Sequence, residues 1–142
     1  MRPDGGKHGL RALESGMAAR MFTPAEANAT LPLVKRIVAD ILEHGREIKE
    51  LGPRLEEDDA AYRRAVELGA ILQGLLGELD EIGCSFESPV FDAGLVDFPA
   101  VLDDEPVLLC WRDDEETVAY YHTPEEGFPG RRPIPGAAMG AN

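Results

Sequence analysis

At Gly83 the spacing of apolar residues changes. Before it they recur every three or four positions, the period of one helix face; after it they alternate, the period of a half-buried strand. A chain patterned this way folds as helices followed by strands, an α+β arrangement rather than a series of βαβ units. With 142 residues it has about one domain's worth of chain.

The helical part is well punctuated. Thr23-Pro24-Ala25-Glu26 reads as a capping box, with Thr23 as N-cap, Pro24 in the first turn and Glu26 returning a bond to the cap. Pro32 predicts that the first turns kink or stop there, with a longer helix resuming at about Leu31. Val34, Ile37, Val38, Ile41, Gly45, Ile48 and Leu51 then form one apolar stripe, and Gly52-Pro53 ends the helix. A second helix is predicted from the acidic run Glu56 to Asp59 as far as Ile82, before the stop at Gly83. Tyr62, Ala65, Val66, Gly69, Leu72, Leu76 and Leu79 face one way along it; Leu68, Ile71, Leu75 and Ile82 add a second apolar side, so the later half should be sandwiched. In a hairpin, Val34, Ile37, Ile41 and Ile48 are expected to meet Tyr62, Ala65, Leu72 and Leu79. Gly69, Gly74 and Gly77 each cost ~1 kcal/mol against alanine in a helix, which predicts close backbone approach at one or more of them.

Strands are expected at residues 94–102, 106–112 and 117–122, joined by the acidic turns Asp103-Asp104-Glu105 and Asp113 to Glu116. With tight turns, one sheet face carries Val96, Phe98, Ala100, Leu102, Leu108, Cys110, Ala119 and Tyr121, and packs on the helices. The other carries Leu95, Asp97, Pro99, Val107, Leu109, Trp111, Val118, Tyr120 and His122, beneath a covering loop from Gly127 to Ile134. The expected fold is a long antiparallel two-helix hairpin with a small three-stranded antiparallel sheet packed on its C-terminal half. Residues 1–20 lack apolar periodicity and read as a mobile extension, 21–135 as the single domain and 136–142 as a flexible tail; Met1, Met17 and Met21 are all possible starts.

Fourteen Lys and Arg against 27 Asp and Glu leave the chain at −13, a charge that repels phosphate backbones and argues against nucleic acid as a partner. The longest apolar run, Val107 to Trp111, is far shorter than the ~20 residues a bilayer requires. Two cysteines, Cys84 and Cys110, in a chain with its own core fit reduced thiols and a cytoplasmic location.

Chemistry is harder to read. The second sheet face and final loop bring together Asp97, Trp111, Tyr120, His122 and Arg131 as candidate ligand-binding residues. Counting strand rise puts Asp97 and His122 on the order of 15 Å apart, so no dyad is expected. His8, His44, His122, Cys84 and Cys110 show no metal-ligand spacing, and no metal or cofactor is assigned. Cys110, on the helix-facing side, reads as a buried structural thiol. No catalytic residue is identified. The expected function is therefore a small cytoplasmic, non-catalytic interaction or assembly module, with a small-molecule-binding protein or enzyme using the face around Asp97, Trp111, His122 and Arg131 as the alternative. Leu51, Leu55 and Tyr62, at a hairpin tip beyond the sheet, need cover, which predicts a homodimer through the helices or else another protein partner.

Several segments occur together in order: Phe22-Thr23-Pro24-Ala25-Glu26-Ala27-Asn28 with Leu31-Pro32, Ile82-Gly83-Cys84, Gly94-Leu95-Val96-Asp97-Phe98-Pro99-Ala100, Leu109-Cys110-Trp111-Arg112, Tyr121-His122 and Gly127-Phe128 to Ile134. With them the chain resembles, over residues 22–134, a bacterial family known as domain of unknown function 2203. The resemblance implies no activity and carries no catalytic residue onto these positions.

Overall fold

The computed structural model describes residues 20–88 and 90–139; the expectations for residues 1–19 and 140–142 lie outside the described residues. The capping box forms as expected: Thr23 Oγ1 accepts from Glu26 N–H, and Thr23 N–H donates to the Glu26 carboxylate. The first helix, α1 (Pro24–Leu51), runs on through Pro32 without a stop. Pro32 lies in the helix interior, where it has no N–H for the Asn28 carbonyl and crowds it, and burial of Leu31, Val34, Ile37, Val38 and Ile41 along one face outweighs that loss. A short 3₁₀ turn (Gly52–Arg54) leads to α2 (Asp59–Ile82), capped by the Asp58 carboxylate on the Ala60 and Ala61 amides and closed by Gly83, whose φ of 109° only glycine adopts freely.

The sheet has five strands, not three: β1 (Ser85–Phe86), β2 (Leu95–Leu102), β3 (Glu105–Arg112), β4 (Tyr120–His122) and β5 (Arg132–Pro133), antiparallel in chain order. The two added edges are two residues each, too short to show alternation. Part of the expected covering loop thus extends the sheet instead, pairing Tyr120 with Pro133 and Tyr121 with Arg132. The described residues end in a short helical turn, α3 (Gly136–Met139), whose Ala138 and Met139 pack against the core.

One apolar cluster joins the sheet to the first half of α1 and the last half of α2, through Val34, Val38, Ile41, Leu72, Leu79, Phe98, Leu109 and Trp111 among others. Phe22 lies edge-on to Phe98, with ring centroids 5.1 Å apart, and its N–H donates to Pro99 O, which ties the entry of α1 to the sheet. Asn28 acts as a side-chain strand partner: its amide donates to Val118 O and accepts from Val118 N–H, fixing the approach to β4.

The hairpin differs from its expected pairing. Ala61, Leu68, Leu72 and Leu79 are the buried positions of α2, whereas Tyr62 is 58% exposed. At the tip, Leu51, Ala61 and Leu68 form a small cluster with Ile48, Leu55 and Ala65, so Leu51 and Leu55 are covered by their own hairpin. Among the described residues the tightest helical glycine is Gly45 of α1, where a Cβ would collide with Phe91, and none of them lies within 4 Å of a Cβ at Gly69, Gly74 or Gly77. Among the described residues no helix is long and apolar enough to cross a membrane.

Candidate functional site

The β2–β3 turn decides which side chains meet. Leu102 pairs with Glu105 across a two-residue turn in which Asp103 (φ 53°) and Asp104 (φ 64°) are both left-handed, the conformation that matches strand twist in tight hairpins. A turn counted as Asp103-Asp104-Glu105 puts every β3 side chain on the opposite face. Val107, Leu109 and Trp111 therefore join Val96, Phe98 and Ala100 in the layer against the helices, while Cys110 lies directly across from Asp97 on the other side. The alternation-based faces hold for β2 and β4 and are exchanged in β3.

Trp111 is thus a core residue, 1% exposed, and its indole N–H donates to Glu115 O at 2.8 Å. Asp97, Tyr120, His122 and Arg131 do share a region, and Cys110 stands in their middle. Ser85, Asp97, Cys110, Tyr120 and Pro133 form one cross-strand row over all five strands. His122, paired with Leu108, stands in the adjacent row. Its imidazole Nε2 lies 3.2 and 3.3 Å from the two Asp97 carboxylate oxygens, not on the order of 15 Å away. Strand rise measures backbone positions; here two side chains lean toward each other over the small thiol of the intervening strand.

The cluster is closed. Asp97 is 5% exposed, His122 3% and Cys110 1%. His122 Nδ1 lies 2.8 Å from Thr123 O, an acceptor, so Nδ1 carries a proton. Burial works against a charged His122, yet the Asp97 carboxylate and the Thr123 carbonyl outweigh it and hold the imidazole above its ordinary pKa. Burial and then the Asp97 charge push the Cys110 thiol well above its usual range, and burial pushes Cys84 up to about 12, so neither is a ready nucleophile.

Arg131 covers this region. Its guanidinium lies 4.2 Å from the Tyr120 ring centroid and 4.8 Å from that of Phe128, while NH2 donates to Glu115 Oε1 at 2.7 Å and to Cys110 O at 3.2 Å. The Nε of Arg131 is buried with no hydrogen-bond partner among the described residues. Cys110 and Glu115 were absent from the expected site. Their signal was the Asp103-Asp104 pair, since acidic residues tolerate the left-handed conformation of a two-residue turn and so set the register.

A second region is open. Tyr62, Val66, Gly69, Gln73 and Gly77 lie along one side of α2, with Tyr62 58% and Val66 57% exposed. The stripe runs into a groove of about 410 Å³ lined by Leu76, Gly77, Asp80, Phe86 and Phe91 among others.

A protein-family model, described as "Uncharacterized conserved protein (DUF2203)", matches residues 20–134. The chain belongs to this family. The matched span holds α1, α2, all five strands and every residue of the closed cluster. No curated protein and no solved structure matches the chain.

Proposed function

We propose that this protein is a non-catalytic assembly module that pairs with a second copy of itself through α2. The observation that carries the reading is the exposed apolar stripe of α2, where Tyr62 and Val66 stand uncovered beside glycines with empty space above them. Each glycine weakens the helix by ~1 kcal/mol and no described residue lies within 4 Å of a Cβ there, so a second copy is free to supply the close approach that would justify it.

Charge selects the arrangement. Arg63 and Arg64 lie in the first turns of α2, and Glu78, Asp80 and Glu81 in the last, with no Lys or Arg after Arg64 in the helix. Asp59 stands in the first turn and Arg64 is already paired with Glu47 and Glu67, so Arg63 makes the choice: an antiparallel pair sets it toward the acidic last turns of the other copy, and a parallel pair sets those acidic turns on each other. In the antiparallel register that centres on Gly69 and Ala70, Tyr62 of each copy faces Gly77 of the other and enters the groove between Leu76, Phe86 and Phe91. The alternative of a ligand site around Asp97, Trp111, His122 and Arg131 has less support, because Trp111 is in the core and Asp97 and His122 are closed off from solvent.

Light scattering at micromolar concentration in physiological salt tests the reading. The expected result is a dimer for the parent and a monomer for Tyr62→Lys with an unchanged melting temperature for the monomeric fold. A parent that is monomeric under these conditions, or a Tyr62→Lys variant that remains dimeric, overturns it.

A further inference from the structure

We propose that Asp97, Cys110 and His122 form a binding site for one divalent transition-metal ion of the zinc class, held inside the sheet as a structural cross-link between β2, β3 and β4. The donor types carry the proposal first. Carboxylate, thiolate and imidazole are the three side chains zinc takes, and here one of each converges from three neighbouring strands, with the ligand atoms all within 4.8 Å of one another. Donors ~2.0–2.3 Å from a tetrahedral ion stand roughly 3.3–3.8 Å apart, so the cluster needs only a small contraction around the ion.

The imidazole is already oriented as a ligand. Thr123 O accepts from Nδ1–H, which leaves Nε2 to face the cluster; a backbone carbonyl on the far nitrogen is the usual outer support of a metal-bound histidine. With the proton on Nδ1, Nε2 and both oxygens of Asp97 are acceptors facing each other at 3.2 and 3.3 Å. Such a contact in a buried site requires a cation between them, either a proton or a metal ion. A proton between Asp97 and His122 leaves the Cys110 thiol only a weak donor to the Asp97 carboxylate, whereas a metal ion takes all three side chains as ligands. Binding expels the thiol proton and the proton between Nε2 and Asp97 to solvent, and the thiolate and carboxylate then neutralise the ion's two charges. Arg131, held by Glu115 and the Cys110 carbonyl, is near enough for its charge to favour the thiolate of Cys110 over the thiol. Asp97 engages through both oxygens, which brings the donor atoms to the four that a closed structural site needs. A closed environment suits a structural ion rather than one that exchanges substrate.

The test uses the full chain stripped with a chelator and then given cobalt(II), both in the native state and during refolding from urea. The expected result is one equivalent bound, with a thiolate-to-cobalt charge-transfer band in the near ultraviolet and the visible bands of tetrahedral cobalt, both displaced by zinc. Cys110→Ser should abolish the charge-transfer band and weaken binding by more than the ~10–100-fold that loss of an outer-shell partner causes. Cys84→Ser should retain both. Failure of the parent chain to give the thiolate band by either route overturns the proposal, whatever the variants do. So does a band that survives Cys110→Ser, or cobalt uptake with no thiolate signature.

Discussion

On the helix-facing side of the sheet, Val96, Phe98, Ala100, Leu109 and Trp111 are 0–1% exposed and meet only apolar neighbours or a single indole hydrogen bond. On the opposite side, alternate residues of the same strands, Asp97, Cys110 and His122, are equally hidden, yet their side chains are polar and must satisfy one another. Burial on the first face is favourable in itself, since each large side chain removed from water contributes ~1.5–3 kcal/mol. Burial on the second is unfavourable until the partners are in place, and it then fixes their positions closely. The first face therefore accepts any well-fitting apolar set, while the second depends on particular residues, the three of the proposed metal site among them.

The largest expected effect breaks the apolar side. Leu109→Asp places an unpaired charge in the layer and should abolish cooperative unfolding at 25 °C, as followed by circular dichroism; a folded variant would mean that β3 can slip its register and return this position to the other face. Next, Asp97→Ala in metal-free protein leaves His122 without its carboxylate and should cost about 3–5 kcal/mol in urea unfolding. Replacing both partners, Asp97→Leu with His122→Leu, should recover most of that loss, because apolar residues of similar volume often match a buried ion pair. A double variant as unstable as the single would show that the polar face cannot be converted into a second apolar one.

A pH series sharpens the contrast. His122 is held above its ordinary pKa in the fold, so in metal-free protein the stability it contributes is fully present below about pH 6.5 and declines as pH rises through the folded value. His122→Gln should remove that dependence, whereas Leu109→Ala should lower stability equally at every pH. The smallest effect concerns the open stripe of α2. Gly69→Ala meets nothing within 4 Å and should raise the stability of the monomer by about 0.5–1 kcal/mol while weakening the dimer. A variant that gains stability with its association unchanged would place the contact elsewhere.

The helical half was legible in the sequence because its signals are local. The capping box at Thr23, the acidic run from Glu56 to Asp59 and the stop at Gly83 each act within about one turn, and both long helices form at or near the expected residues. The continuation of α1 through Pro32 was not legible, because the compensation comes from the sheet and α2 rather than from neighbouring residues. Exposure of Tyr62 was hidden for a similar reason: periodicity ranks the faces of a helix but does not say where the covering layer ends.

The sequence by itself determined the two long helices, the three central strands that follow them, their antiparallel meander and the apolar nature of one sheet face, since these follow from caps, breakers and periods of a few residues. Only the tertiary structure decided which β3 residues lie on which side. Its register hangs on a single count at Asp103-Asp104, and one residue more or less exchanges Cys110 with Trp111. The meeting of Asp97, Cys110 and His122 was likewise beyond the sequence, because it joins residues 25 positions apart through a pairing that exists only once three strands have aligned.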